Sequence, residues 1–173
     1  MKTTGMVRRV DSLGRIVIPK EIRKILKIKE NEQVEINVEG EEIILNRYSE
    51  LDDESEYLKK LIDIISDIYK VDILLTNLNN FKITTKNYLY LDNKELSPYL
   101  SNILENRQDV LEKNRISISL SSSERDIESP YLIKSLIING DIVGLIIFLS
   151  DDIDMIDSKL VTLVNNYLEK SLE

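Results

Sequence analysis

The side chains best equipped for chemistry in this sequence are cations, and they crowd at one end. Residues 1–29 hold nine lysines and arginines (Lys2, Arg8, Arg9, Arg15, Lys20, Arg23, Lys24, Lys27 and Lys29) against Asp11 and Glu21, a net charge of +7. Residues 30–50 sum to −6 and residues 51–173 to −9, which makes the 173-residue chain −8 overall. Guanidinium and ammonium groups at this density neutralise a polyanion's phosphates and release its counterions. Other familiar reagents are missing. Without histidine there is no imidazole base and no Ser-His-Asp triad, and without cysteine no thiolate nucleophile, disulfide or thiolate metal site. The chain therefore reads as a non-enzyme, a small basic reading head on an acidic body. On charge alone, a solvated basic face without a partner is an equal alternative.

Stepping along the chain shows what must position those cations. Gly5–Val10 is β-prone, Asp11-Ser12-Leu13-Gly14 is a turn, and Arg15–Ile18 is a β-branched strand that Pro19 stops. Lys20–Lys27 fits one short helix with Ile22, Ile25 and Leu26 as its apolar stripe and Lys20, Arg23, Lys24 and Lys27 opposite. Gln33–Val38 and Glu41–Asn46 alternate as a hairpin around Glu39-Gly40. About fifty residues with four short strands bury too little surface to stand alone, so pairing of two copies is the expected remedy.

An acidic stretch near Ser49–Glu56 marks a boundary, and the expected division is a head over 1–50, a link over 51–55 and a body over 56–173. The body reads as a helix from about Tyr57 to Lys70, strands over Val71–Thr76 and Phe81–Thr85, and a helix from Pro98 capped by Ser97. A strand over Ile116–Leu120 follows, then a hairpin, Tyr131–Ile138 and Ile142–Leu149, around Asn139-Gly140. A terminal helix runs from about Asp154 to Leu172. The fold class is α+β, with helices packed on an antiparallel sheet. Hydrophobic content of 42% with 31% charged residues is globular. No apolar run approaches the ~20 residues that span a bilayer, and the first residues lack a signal peptide's apolar core, so no membrane association and a cytoplasmic location are expected.

The run Thr4-Gly-Met-Val-Arg-Arg-Val-Asp-Ser-Leu-Gly-Arg-Ile-Val-Ile-Pro-Lys-Glu-Ile-Arg-Lys24, with Val34-Glu35-Ile36 and Ile43-Ile44-Leu45, closely resembles the AbrB family of bacterial transition-state regulators. The whole layout is similar to that of sporulation regulators in which a GAF-family domain follows such a head. The resemblance implies a swapped-hairpin, barrel-like homodimer through residues 1–50 that binds double-stranded, AT-rich DNA, and a homotetramer through the GAF-like domain. It assigns DNA contacts to Arg8, Arg15, Arg23 and Lys24, with Arg9, Lys2 and Lys20 as neighbouring phosphate contacts. Where the family often has arginine, Lys24 keeps the charge and loses the planar fork that grips guanine. Related swapped-hairpin domains also serve as antitoxins, which is the alternative function; there the trailing segment is short, whereas residues 51–173 read as folded.

GAF domains commonly hold small molecules. Tyr88, Tyr90, Tyr99, Phe148 and the Ser121–Arg125 loop are the candidate liners here, with core or interface tyrosines as the simpler reading. No cofactor is implied, and the effector is left unnamed. Asp151, Asp152, Asp154 and Asp157 lack the loop glycine and terminal glutamate of a calcium loop and are expected to cap the last helix.

Overall fold

A computed structural model describes residues 5–26, 28, 34–47 and 55–172. The chain divides into two compact units, Met1–Tyr48 and Ser49–Glu173.

In the first unit, residues 5–10 and 15–19 are two arms without regular secondary structure, joined by a turn at 11–14. Helix α1 (Lys20–Ile25) follows Pro19, whose fixed φ suits a helix entrance and whose missing N–H costs nothing there. Strands β1 (Val34–Glu39) and β2 (Glu42–Arg47) pair antiparallel from Val34↔Arg47 to Glu39↔Glu42, and Gly40 takes the φ of +61° that the tight connection needs. The arms are not strands, contrary to the sequence pattern, and no barrel closes within one chain among the described residues. The physical reason is that a strand needs a hydrogen-bonding neighbour. Val7 (94% exposed), Val17 (77%) and Val38 (71%) carry strand-type side chains with nothing packed on them. Pro19 is the one buried residue among those of this unit whose burial is described.

The second unit buries what the first leaves open. Its sheet has the order β4-β3-β7-β6-β5, formed by β3 (Asp72–Thr76), β4 (Phe81–Ile83), β5 (Val110–Ile118), β6 (Ile127–Ile138) and β7 (Asp141–Leu149), every pair antiparallel. Helices α2 (Ser55–Tyr69) and α4 (Ser158–Ser171) cover one face, where Leu58, Ile62, Leu160, Val164 and Leu168 meet Ile73, Leu75, Ile146 and Phe148. Helix α3 (Pro98–Asn106) covers the other with a 3-10 segment at Lys86–Leu91, bringing Leu91, Leu100 and Ile103 onto Leu74, Ile133, Leu145 and Ile147. Burial on both faces is why Ile142–Leu149 reads as a continuous apolar run rather than an alternation.

Local chemistry accounts for the ends of these elements. Ser97 Oγ accepts from the Leu100 N–H at 3.2 Å at the start of α3, and Arg107 ends it in the left-handed region. Asn139 and Gly140 both have positive φ, as a two-residue hairpin of this hand requires. The terminal helix begins later than its pattern suggests, at Ser158, because Asp157 Oδ1 accepts from the Leu160 N–H at 2.7 Å and sets the cap there. Strand β5 begins earlier, at Val110; its polar middle and irregular register between Glu112 and Ile116 mark an edge strand.

The proposed lining of a single GAF-type pocket is corrected by the sheet. Phe148 belongs to the core on the α2/α4 face, whereas Tyr88, in the 3-10 segment, packs against the core on the α3 face, so the sheet separates them. On that second face Tyr99 Oη and Tyr131 Oη lie 3.0 Å apart, and Tyr88 and Tyr90 rings are 6.0 Å apart. Burial, with Asp72 adding to it, pushes the Tyr88 phenol up to about 12, and burial raises Tyr131 as well.

Candidate nucleic-acid interface

The centre of the candidate interface is the turn between the two arms. The Gly14 N–H donates to the Asp11 carbonyl at 3.1 Å and the Asp11 N–H donates to the Arg15 carbonyl at 3.0 Å. Gly14 sits at φ +78°, a conformation that side chains disfavour, which is why this position must be glycine. The Asp11 side chain then locks the loop: Oδ1 accepts from the Leu13 N–H at 2.9 Å and from the Arg15 N–H at 2.8 Å. Its second oxygen, Oδ2, accepts from Arg15 Nε at 2.7 Å. The Arg15 N–H and then the Arg15 guanidinium hold the Asp11 carboxyl below its ordinary value.

Around this turn the remaining cations are open. Arg8 and Arg9 on the first arm are exposed, as are Lys20, Arg23 and Lys24 on α1. None of the five has an ion-pair partner among the described residues. Lys20, Arg23 and Lys24 share one side of α1 by their spacing of three and four residues, while Ile22 is half-buried. Arg15 pairs with Asp11 yet its side chain stays 72% exposed. Lys2 and Lys27 lie outside the described residues. The structure thus presents Arg8, Arg9, Arg15, Lys20, Arg23 and Lys24 to solvent in a segment whose two acidic side chains are Asp11, engaged with Arg15, and the exposed Glu21. Such a surface attracts phosphates.

Residue order marks Asp11 as a turn-former and does not by itself show its grip on Arg15. The spacing Asp-x-x-Gly-Arg gives the proximity, because a glycine turn folds the fifth residue back onto the first, but not the side-chain pairing.

Comparison with known proteins follows this division. Residues 7–51 match the family described as Antidote-toxin recognition MazE, bacterial antitoxin, and residues 55–173 match Stage V sporulation protein T C-terminal, transcription factor. Stage V sporulation protein T of Bacillus subtilis is 32% identical over 180 residues, covering 100% of this chain and 99% of that protein. Transition state regulatory protein AbrB of the same organism is 56% identical over 48 residues, 28% of this chain and 50% of AbrB. Among solved structures, the N-domain of the transcription factor AbrB is 55% identical, with coverage of 28% of this chain and 94% of that chain and a TM-score of 0.27. The cofactor-binding GAF domain of the nutrient sensor CodY from Clostridium difficile is 10% identical over 66% of this chain and 83% of that chain, with a TM-score of 0.46. With one match running the full length and a family match over residues 55–173, the chain belongs to the stage V sporulation protein T family of transcription factors.

Proposed function

We propose that this protein is a DNA-binding transcription regulator of sporulation that reads duplex DNA through Arg8, Arg15, Arg23 and Lys24, with Arg9, Lys2 and Lys20 on neighbouring phosphates. The observation that carries the reading is the set of exposed cations around an Asp11-locked turn in a segment of net charge +7, with Arg15 held by Asp11 and Arg8, Arg9, Lys20, Arg23 and Lys24 unpaired among the described residues. The acidic remainder of the chain confines polyanion binding to that head. Target choice rests on AT-rich shape and deformability more than on a base code, since Lys24 lacks the guanidinium fork.

The head works as a homodimer. Val7, Val17, Ile36, Val38 and Ile43 are each more than half exposed, too much apolar surface to leave in water. A second copy supplies both the missing cover and strand partners for the open arms. Residues 56–173 form the GAF-like part, assembling head dimers into a tetramer through exposed Tyr57, Ile64 and Ile68 on α2 and Leu163 and Tyr167 on α4. Nothing in this scheme needs a cofactor or a catalytic step, and it operates in the cytoplasm. The antitoxin alternative has the matched family's description over residues 7–51 in its favour. Against it stand the 56% identity to AbrB over 48 residues and a folded body behind the head.

Fluorescence anisotropy on an AT-rich duplex across a salt series tests the reading. Fourteen cations from two copies give a log–log salt slope approaching roughly −13, and Arg15→Ala brings it to roughly −11. Binding by Arg15→Ala indistinguishable from wild type, in strength and slope, would remove the basis of the assignment.

A further inference from the structure

Asp11 is out of place on a surface built to meet phosphates. A carboxylate there repels DNA, and electrostatics alone predicts that removing it tightens binding. Its geometry points the other way. The two oxygens divide their work: Oδ1 takes the backbone N–H groups of Leu13 and Arg15 at 2.9 and 2.8 Å, and Oδ2 takes Arg15 Nε at 2.7 Å. Holding a guanidinium by Nε leaves both terminal nitrogens unengaged by Asp11, and this side chain remains 72% exposed. Those terminal nitrogens form the edge that grips a phosphate or a guanine with two parallel hydrogen bonds. Arg8, Arg9 and Arg23 have no comparable partner among the described residues and must be ordered when DNA arrives.

We propose that Asp11 is a positioning residue for DNA recognition, pre-aiming Arg15 by its Nε so that the free edge of the guanidinium faces DNA. The inference rests on the DNA-reading role given to Arg15 above and adds a residue whose charge opposes binding while its geometry promotes it.

Asp11→Asn isolates the effect. The amide oxygen of asparagine still accepts from Leu13 and Arg15 N–H groups, preserving the turn. The amide nitrogen is a donor and cannot take the Arg15 Nε–H. The experiment measures binding of the full chain to one AT-rich duplex by anisotropy, across salt, for wild type, Asp11→Asn, Arg15→Ala and the double variant. The expected result is an Asp11→Asn affinity lower by about fivefold or more, without a shallower salt slope. With Arg15 already removed, the same change leaves affinity unchanged or raises it. Equal tightening in both backgrounds would mean that Asp11 acts only as a charge. Equal weakening in both would mean that it only shapes the turn. Either result overturns the proposal. If Arg15→Ala itself binds like wild type, it is the DNA-reading assignment that fails. Asp11→Glu, with its charge kept and its arm lengthened, repeats the cycle if the asparagine variant loses its fold by circular dichroism. It is expected to weaken binding only where Arg15 is present, and equal effects in both backgrounds again count against positioning.

Discussion

Gly144 has the most sharply determined role in the second unit. It lies in β7 where that strand meets β3, and a Cβ built on it would fall 1.7 Å from the Thr76 carbonyl oxygen, 2.7 Å from the Thr76 carbonyl carbon and 3.2 Å from Asn77 Cα. All three atoms are backbone, so no side chain can swing aside. Ordinary contact needs about 3.5 Å, so Gly144→Ala must push the end of β3 away by more than about 1 Å. That shift acts on the Thr76↔Leu145 pair and on the 3.0 Å bond from the Leu145 N–H to the fully buried Thr76 Oγ1. Overpacking costs about 1–3 kcal/mol, and a buried donor left unpaired costs about 1–3 kcal/mol. A total near 4 kcal/mol follows, which for a domain of this size lowers Tm by roughly 10–20 °C. Thermal melting followed by the near-ultraviolet tyrosine signal is the suitable assay, because seven of the eight tyrosines lie in residues 55–172. A variant melting within about 3 °C of wild type would refute the close approach of β3 and β7 on which the calculation rests.

Three further outcomes are expected. Asp157→Ala removes the 2.7 Å cap on Leu160 N–H and lowers stability by about 1 kcal/mol, read from the urea midpoint; an unchanged midpoint would place the start of α4 elsewhere. Because Tyr88 is pushed up to about 12, the folded state keeps its proton where the unfolded chain loses it. Stability therefore falls as pH rises from about 10 toward 12, and Tyr88→Phe reduces that loss; an identical alkaline profile for the variant would contradict the burial assigned to Tyr88. Ile36→Lys, at a site 66% exposed in the single chain, shifts the full-length protein toward smaller species in sedimentation velocity by at least about tenfold in dissociation constant. An unaltered distribution would show that this face is not where copies meet.

How much of this could be read from residue order depends on whether the deciding interaction is local. The Ser97-Pro98 helix start and the Asn139-Gly140 hairpin depend on neighbours within four residues and were legible, whereas four closely spaced aspartates left open which of them caps the last helix. The 3-10 segment at Lys86–Leu91 was not legible. It has no helical apolar stripe and is held from outside, with Thr85 Oγ1 and Asn87 Nδ2 donating to Asp72, and Lys86 to Asp67. The extent of β5 was hidden for a related reason, since an edge strand with one open side need not alternate. In the candidate interface the basic segment was legible from charge density, and its described cations are exposed. The Asp11 grip was obscured because aspartate in a turn has a sufficient local reason to be there. Its second oxygen reaches across the turn, and sequence spacing gives position but not which of two oxygens is free.

The two units handle apolar surface in opposite ways, and this separates what a mutation can do in each. In the second unit, Leu74 and Ile147 face one side of the sheet while Ile73, Ile146 and Phe148 face the other, all fully buried, so the fold is complete within one chain. A substitution there acts through stability, as Gly144→Ala should. In the first unit Val7 and Val17 stand in solvent on the same arms as Arg8 and Arg15, close to them along the chain, and Val38 is exposed on the hairpin. Exposed apolar and cationic residues sharing the same open arms would tie association to recognition. Covering the apolar faces with a second copy would also fix the arms that carry the arginines, so dimer formation and DNA affinity should fall together in Ile36→Lys. Asp11→Asn should lower affinity with the dimer intact. A head in which both variants lost affinity and association in parallel would have a single structural role for the turn and the hairpin. Loss of affinity alone in Asp11→Asn would leave aim, rather than assembly, as the function of that carboxylate.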